Sequence, residues 1–318
     1  MILVINSSAA GGSGIKKWKR IERRLEAQIP SAEAFLMNGQ ASTGEFIRRS
    51  LQKGETQFIA AGGDGTVNTL LNELLFQASP AQRETIQLGA IGLGSSNDFH
   101  KPCEPRRLID GIPAKVSFDD TPLRDVGCVS FERNGGFLTR YFLVNASVGV
   151  TAEANLLFNT PGRFLGFLKR ASTPAAILFA ALNTIVGYRN LRISARGTGF
   201  PERELELTNL NLLKSPHISG SFCYDARIPL DDGMLRAYLS TGMNKLELLR
   251  LVRDLSGGSF RPGDASTSRT SPKVESFELQ SMILTSSEPF AVEYDGEVAA
   301  TRFAQFSVLP RHLQVCRS

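Results

Sequence analysis

The first 92 residues alternate short apolar runs with amphipathic helical patterns, and this alternation is the strongest constraint on the fold. The apolar runs cover residues 2–5, 34–37, 57–61 and 87–91. Between them, apolar residues recur at spacings of three and four, as in Ile15, Trp18, Ile21 and Leu25. Strands that alternate with helices form parallel sheets covered on both faces. We therefore expect an α/β domain over residues 1–122, with the chain end, 307–318, as a candidate to return to it.

The rest of the chain has a different pattern, in which strand-like segments are separated by turn signals. These segments cover residues 141–147, 191–195, 205–213, 235–240, 277–285 and 290–294. Helical patterns over 162–188 and 245–255 interrupt the series, and the polar segment 257–272 is typical of a surface loop. We expect a β-rich, β-sandwich-like domain over residues 123–306.

The composition of the 318 residues excludes several kinds of site. The four cysteines are far apart and the three histidines do not pair at metal-ligand spacing, which argues against a disulfide scaffold and a multi-histidine centre. Chemistry in this chain therefore depends on carboxylates. The formal net charge of +5 permits contact with anionic surfaces. No nucleic-acid recognition module accompanies it, so we expect no nucleic-acid partner.

Neither a signal peptide nor a membrane span is expected. The N-terminus lacks the basic start and long apolar stretch of a signal peptide. The most apolar stretch, 175–186, is interrupted by Asn183 and Thr184 and is shorter than the roughly 20 residues that cross a bilayer. We expect a soluble protein in a reducing compartment.

A glycine turn lies between a predicted strand and a predicted helix, where residues 62–68 read GGDGTVN. Glycines let the backbone approach a ligand, and the start of the helix that follows favours phosphate oxygens. Asp64 within such an anion site makes sense if Mg²⁺ lies between the carboxylate and the phosphates. The alternative is a tight turn in which the aspartate only caps the helix.

Two more turns follow predicted strands. Residues 92–99 read GLGSSNDF, and turns after neighbouring parallel strands open onto one crevice. Residues 6–14 read NSSAAGGSG and are followed by Lys16 and Lys17, either of which could lie near a bound anion. Neither a P-loop nor a complete GxGxxG motif is present.

Four motifs together resemble the diacylglycerol kinase catalytic family, which includes sphingosine kinases and bacterial lipid kinases. They are GGDGTVN, GSSNDF at 94–99, LDDGML at 230–235 and YDGE at 294–297, and their order and spacing agree with that family over nearly the whole chain. Three departures are Ser7 where a proline usually follows Asn6, Ser95 in place of threonine, and Thr69 where the family commonly has glutamate.

The resemblance implies ATP and Mg²⁺ as cofactors and an N-terminal sheet like that of NAD kinases. It places ATP at Asn6, Gly62, Gly63, Asp64, Gly65, Thr66, Gly94, Ser95 and Asn97. It places Mg²⁺ at Asp64, Asp98 and Asp232, although in some bacterial members the segment around Asp232 holds a separate structural metal.

The last motif supplies the catalytic residues that the resemblance implies. Asp295 matches the general base that accepts the proton of the lipid hydroxyl, and Glu297 matches a supporting carboxylate. In an extended segment, period-two alternation would place both side chains on one face.

Residues 162–170 read GRFLGFLKR and combine large apolar side chains with cations. Such a helix could rest on an anionic bilayer, or Phe164, Phe167 and Leu168 could face the core with solvated cations opposite. The resemblance implies a lipid substrate at a membrane surface and a cytoplasmic protein, peripheral on the inner face of the membrane.

The leading hypothesis is an ATP-dependent lipid kinase that acts on a diacylglycerol-like or sphingoid-like acceptor. Two alternatives remain open: a kinase of a soluble nucleotide such as NAD, and a regulatory protein that binds a nucleotide without catalysis. The motifs identify neither the lipid nor the oligomeric state.

Overall fold

The computed structural model describes residues 1–37, 39–102, 108–160, 162–224, 226–258, 260 and 273–317. The chain forms two compact units: unit 1 comprises Met1–Val126 and Arg311–Ser318, and unit 2 comprises Gly127–Pro310. Most of the predicted loop 257–272 lies outside the described residues. Within these ranges, none of the helices has both the length and the apolar character that crossing a membrane requires.

Unit 1 begins with alternating strands and helices, as its sequence pattern predicted. The order is β1 (Ile2–Ile5), α1 (Gly14–Gln28), β2 (Glu33–Leu36), α2 (Gln40–Gln52), β3 (Gln57–Gly62), α3 (Asp64–Gln77), α4 (Pro80–Arg83), β4 (Gln87–Gly92), β5 (Leu108–Ile109) and β6 (Ile112–Lys115). Strands β2, β1, β3 and β4 pair side by side in parallel, with Ile2 opposite Phe58 and Gln57 opposite Gln87. The face of α1 that carries Trp18, Ile21 and Leu25 is buried in the core of this unit.

Unit 2 is dominated by antiparallel strands. The elements that follow are β7 (Leu123–Arg133), β8 (Gly136–Phe142), β9 (Asn145–Gly149), α5 (Val150–Asn159), α6 (Arg163–Ala171), α7 (Thr173–Gly187), β10 (Leu191–Gly197), β11 (Phe200–Leu213), β12 (His217–Ile218), β13 (Phe222–Cys223), β14 (Leu235–Thr241), α8 (Lys245–Ser256), β15 (Val274–Leu279), β16 (Ser281–Tyr294) and β17 (Glu297–Val315). The strand order is β15-β14-β11-β10-β16-β17, and β9 pairs with β11 and β16.

Two strands are continuous from one unit to the other. Strand β7 begins in unit 1 and continues into unit 2. Strand β17 begins in unit 2, and its last residues belong to unit 1. There Gln314 of β17 lies opposite Gln87 of β4 in a parallel pair, while β6 pairs with β4 in the antiparallel sense. The α/β character of the N-terminal region and the β-rich character of the rest are thus confirmed.

Three predicted elements differ from the structure. The helical stretch 162–188 is two helices divided at Ser172, whose hydroxyl accepts the amide of Ala175 at 3.4 Å and caps α7. The strand expected over 141–147 is interrupted at Leu143 and Val144, and the strand expected over 277–285 is interrupted at Gln280. Helix α5 was not predicted.

Candidate active site

The first glycine turn leads directly from β3 into the 14-residue helix α3, which begins at Asp64. The turn is tightly closed, because a Cβ on Gly62 would lie 2.1 Å from the Oγ1 of Thr66. The amide of Thr66 donates to the carbonyl of Gly63 at 2.9 Å. The amides at the start of α3 thus lie at the carboxyl end of the sheet, where they favour an anion.

The second glycine turn contacts the first at the same edge of the sheet. The carbonyl of Gly62 accepts the amides of Leu93 and Gly94 at 2.8 and 3.1 Å. A Cβ on Gly94 would lie 2.4 Å from the Cα of Gly63. Only glycine permits this approach, so the two turns can pack directly against each other at this edge of the sheet. Ser95 within the second turn is exposed.

Asn97 holds the second turn in shape. This residue has left-handed backbone geometry, with φ of 49°, which asparagine adopts more readily than most residues. Its side-chain amide donates to the carbonyls of Gly92 and Gly94 at 3.1 and 3.3 Å. The Asn97 side chain therefore stabilises the turn by bonding to backbone carbonyls within it.

The first strand contributes a third contact to this edge. The side-chain amide of Asn6 donates to the Oγ1 of Thr66 at 2.9 Å, and its Oδ1 accepts the amide of Ser8 at 3.0 Å. Of the two lysines that follow, Lys17 reaches the second turn, where its Nζ donates to the carbonyls of Gly94 at 2.7 Å and Leu93 at 3.2 Å. Burial and the nearby charge of Arg20 lower the pKa of Lys17. Lys16 is exposed.

Two of the three predicted metal-binding aspartates lie at this edge. The Oδ1 of Asp64 accepts the amide of Phe99 at 2.9 Å. Asp98 is buried, and its Oδ1 pairs with the Nζ of Lys101 at 2.7 Å. The described residues contain no group of three or more histidine, cysteine, aspartate or glutamate side chains that could hold a metal ion by itself. A metal ion here would need oxygens from a bound ligand or from water.

Thr69, which stands where the resembling family commonly has glutamate, turns back onto its own helix. Its hydroxyl donates to the carbonyl of Gly65 at 2.8 Å.

Behind the second turn, the buried Nζ of Lys115 donates to the carbonyl of Phe99 at 2.9 Å. Burial and the charge of Lys115 lower the pKa of His100 to about 3, so that imidazole is neutral. No local pattern marked Lys115 in the sequence.

In unit 2, Asp295 lies in the two-residue turn between β16 and β17, with φ of 46° at Asp295 and 89° at Gly296. Its carboxylate accepts three backbone amides, from Leu143 at 2.8 Å, Val144 at 2.9 Å and Asn145 at 3.1 Å. The idea of an extended segment with Asp295 and Glu297 on one face is therefore wrong. Asp295 turns inward, whereas Glu297 is exposed and pairs with Tyr294 across the hairpin.

Glu293 is a second buried carboxylate on the same hairpin, and it was not predicted. It accepts the amide of Gly296 at 2.7 Å, the side-chain amide of Asn145 at 2.8 Å and the hydroxyl of Ser147 at 2.6 Å. Burial raises the pKa of Glu293 to about 8, against the opposing effect of the Ser147 and Gly296 hydrogen bonds. An acidic residue within the apolar run 290–294 was the signal that could have identified it.

Asp232, the third predicted metal-binding residue, lies in unit 2 and contacts cationic side chains. Its carboxylate is 3.2 Å from the Nζ of Lys214 and 3.5 Å from the guanidinium of Arg236. Lys214 is fully buried and also donates to the carbonyl of Met234 at 3.0 Å. Two cations at one carboxylate do not fit a metal ion at the same position, because like charges repel.

In unit 1 two glycine turns touch at the N-terminus of a helix, an arrangement that favours the binding of phosphate groups in general. Residues 1–116 match the family model of the diacylglycerol kinase catalytic domain. The resemblance to the diacylglycerol kinase catalytic family, inferred from the four motifs, is thereby confirmed.

Similar proteins cover most of the chain. A diacylglycerol kinase from Staphylococcus haemolyticus (strain JCSC1435) is 27% identical over 295 residues, which are 92% of this chain and 80% of that protein. A diacylglycerol kinase from Staphylococcus aureus (strain JH9) is 26% identical over 270 residues, covering 84% and 76%. A crystal structure of a diacylglycerol kinase from Bacillus anthracis str. Sterne shares the fold, with a TM-score of 0.67, 16% identity and coverage of 100% and 96%.

Proposed function

We propose that this chain is an ATP-dependent lipid kinase that transfers the γ-phosphate to the hydroxyl of a diacylglycerol-like or sphingoid-like acceptor. The diacylglycerol kinase domain match over residues 1–116 supports the class of reaction. The observation that carries the proposal is the contact between the two glycine turns at the start of α3, with Gly62 accepting amides from Leu93 and Gly94.

The phosphates of ATP bind at this edge of unit 1. The amides at the start of α3 favour phosphate oxygens, and the closely packed glycines 62, 63 and 94, together with Gly65 in the first turn of the helix, contribute no side chains to this edge. Asn6, Thr66, Ser95 and Asn97 shape the same edge. Asp64 would hold Mg²⁺ together with Asp98, whose carboxylate also pairs with Lys101, and the ion would supply positive charge against the phosphates. Two carboxylates suffice in this role, because Mg²⁺ in phosphoryl-transfer sites takes its remaining ligands from phosphates and water.

Asp295 accepts the proton of the attacking hydroxyl. The hydroxyl oxygen forms a bond to the γ-phosphorus, the bond from that phosphorus to the β-γ bridging oxygen breaks, and ADP leaves. Three backbone amides that donate to the Asp295 carboxylate favour its ionised form. The carboxylate can take the proton late, when the hydroxyl has become acidic. Glu297 is proposed as a supporting carboxylate at the exposed end of the same hairpin.

We propose further that the protein is cytoplasmic and meets its lipid as a peripheral protein at the membrane surface. Residues 1–122 would serve as the nucleotide-binding domain and residues 123–306 as the lipid-substrate domain. The NAD-kinase-like arrangement of the parallel sheet and the β-sandwich form of the second domain also stay predictions.

The test is transfer of labelled phosphate from ATP to diacylglycerol, sphingosine and NAD, with the wild type, Asp295→Asn and Asp231→Asn. Asp231 is an exposed neighbour of Asp232 and serves as the matched control. We expect transfer to a lipid in the wild type and the control, and a loss of about 10²- to 10⁴-fold in Asp295→Asn. Full activity of Asp295→Asn would remove the base assignment.

Two other outcomes contradict the lipid-kinase proposal itself. Transfer to NAD but to no detergent-solubilised lipid identifies a kinase of a soluble nucleotide. ATP binding without transfer to any acceptor identifies a regulatory protein.

A further inference from the structure

Helices α6 and α7 lie in a segment with an unusual charge pattern. From residue 154 to residue 201 the chain contains no aspartate or glutamate. The same segment contains the basic residues Arg163, Lys169, Arg170, Arg189, Arg192 and Arg196. Helix α7 itself has no charged residue between Thr173 and Gly187. The segment therefore contributes positive charge and no negative charge on either side of the apolar helix α7.

The outer surfaces of both helices are apolar. On α6, Phe164 and Phe167 are 61% and 66% exposed. On α7, Leu178, Leu182 and Val186 follow one another at a spacing of four, so they lie on one side of the helix, and Val186 is 69% exposed. We call these five residues the apolar face. The alternative in which Phe164, Phe167 and Leu168 all face the core is therefore wrong for the two phenylalanines, whereas Leu168 does pack against buried residues.

The inner sides of the two helices are also apolar and are already packed. Leu165 of α6 is buried together with Ala176 and Ala180 of α7. The ring of Phe164 contacts Phe179 of α7 edge-on, with ring centroids 5.1 Å apart, so the Phe164 part of the apolar face lies against α7. The two helices thus already bury apolar side chains against each other, and the exposed residues of the apolar face take no part in that cluster.

We propose that the apolar face docks onto the surface of an anionic lipid bilayer. Exposed Arg163 and Arg189 lie near its two ends in the sequence, and Lys245 of α8 donates to the carbonyl of Val186. Phenylalanine and leucine side chains enter the boundary between headgroups and acyl chains, while basic side chains bind anionic headgroups. This proposal rests on the proposed function in one respect: a lipid kinase docked on a bilayer would find its lipid substrate there.

A second copy of the chain is a poorer occupant of this face. A two-fold dimer brings the same surface of each copy together, so the basic residues would face one another without acidic partners in the segment. A bilayer instead supplies the opposite charge.

A groove on another side of α7 fits the same occupant. It has a volume of about 560 Å³ and a mixed lining, in which Leu156, Leu157, Tyr188 and Leu191 lie beside the polar or charged residues Glu153, Thr160, Asn183, Thr184 and Arg189. An acyl chain drawn from a bilayer against the apolar face has apolar side chains to contact here.

The test is co-sedimentation of the full chain, without ATP, with vesicles of phosphatidylcholine alone or with about a third phosphatidylglycerol. The main variant carries Phe164→Ser and Phe167→Ser. Phe137→Ser is the matched control, because Phe137 is 71% exposed on β8, outside the apolar face. Arg163→Glu tests the charge contribution, and Val186→Ser tests α7 separately from α6.

We expect the wild type to bind the anionic vesicles more tightly than the neutral ones, with an affinity that falls as salt rises. The double phenylalanine variant should bind at least about tenfold more weakly, because two large apolar side chains are lost. Arg163→Glu should lose most of the preference for phosphatidylglycerol, and Phe137→Ser should behave as the wild type. Unchanged melting temperatures show that the exposed substitutions leave the fold intact.

Two results overturn the proposal. One is equal vesicle binding by the wild type, the double variant and Val186→Ser. The other is a wild-type dimer in sedimentation velocity that the double variant dissociates, which would assign the face to a second copy. Vesicle binding is measured without phosphate transfer, so an inactive enzyme does not affect either result.

Discussion

At the scale of single residues, the hairpin turn between β16 and β17 holds two carboxylates in different environments. Asp295 accepts three backbone amides, which favour its charge. Glu293 is fully buried, and burial raises its pKa to about 8. Neighbouring acids whose environments separate their proton affinities can carry different roles. In this turn Glu293 is protonated at neutral pH, whereas Asp295 is the carboxylate that three backbone amides hold in place.

The raised pKa of Glu293 predicts a pH-dependent stability. Protonated Glu293 contributes stability that is fully present below the ordinary glutamate pKa and is lost as pH rises through about 8. We expect the free energy of unfolding to fall by an amount on the order of 1–4 kcal/mol between about pH 5 and pH 9. Denaturant unfolding at several pH values measures it.

Glu293→Gln should remove most of that slope, because glutamine keeps the neutral state and its oxygen can still accept hydrogen bonds. Glu288→Gln, on the exposed part of the same strand, is the control and should leave the slope unchanged. An identical slope in the wild type and Glu293→Gln would show that Glu293 does not titrate in this range.

Gly94→Ala tests the contact between the two glycine turns. Its Cβ would lie 2.4 Å from the Cα of Gly63, a backbone atom that cannot move aside without moving the turn. We expect a loss of about 1–3 kcal/mol in the free energy of unfolding, together with weakened ATP binding.

The control for Gly94→Ala is Gly166→Ala in helix α6, where a Cβ would meet no atom within 4 Å. Alanine there should be neutral or add up to about 1 kcal/mol, because alanine favours helix more than glycine. Thermal unfolding and ATP titration compare the two variants. Equal effects would mean that the close approach of the turns is dispensable.

At the scale of elements, the chain is interrupted between β8 and β9, where backbone amides bind the Asp295 carboxylate instead of continuing one strand. The sequence pattern predicts one strand over 141–147, but the structure ends β8 at Phe142 and starts β9 at Asn145. The amides of Leu143, Val144 and Asn145 donate to Asp295, about 150 positions away. The pattern that predicts a strand depends on neighbouring residues. The carboxylate that interrupts this strand comes from a distant part of the sequence, so the pattern does not reveal it.

The same distinction explains which parts of the molecule were predictable. Strands β1, β3 and β4 and helices α1 and α3 follow from periodicities of a few residues, and their glycine turns follow from adjacent sequence. Lys115 and Lys214 carry no local signal, because their carbonyl and carboxylate partners come from other segments. Ser172 does carry one, since serine before Thr173-Pro174 is a typical helix start that the apolar run 162–188 concealed.

The side chain of Lys17 connects helix α1 to the second glycine turn, because its Nζ donates to the carbonyls of Leu93 and Gly94. Lys17→Met should leave both carbonyls without this donor and remove a cation from the proposed phosphate edge. We expect ATP affinity to fall about tenfold, as for the loss of a charged hydrogen bond. Lys16→Met, an exposed neighbour on the same helix, is the control and should bind ATP as the wild type does. Equal affinities of the two variants would contradict a role for Lys17.

At the scale of the whole molecule, the proposed roles divide between the two units. The glycine turns, Asp64 and Asp98 belong to unit 1, and the Asp295 hairpin belongs to unit 2. ATP binding and phosphate transfer are therefore expected to respond to different substitutions.

The change in melting temperature on addition of ATP separates these two responses. A ligand at about 100 times its Kd stabilises the protein that binds it by about 2.7 kcal/mol. We expect the wild type and Asp295→Asn each to gain that stabilisation over their own ATP-free state, because the substitution lies outside the residues proposed to bind ATP. Gly94→Ala should gain much less. Phosphate transfer should be lost in Asp295→Asn even though ATP binds. If Asp295→Asn instead loses the ATP-dependent shift while Gly94→Ala keeps it, the proposed assignment of nucleotide binding and proton acceptance to the two units is wrong.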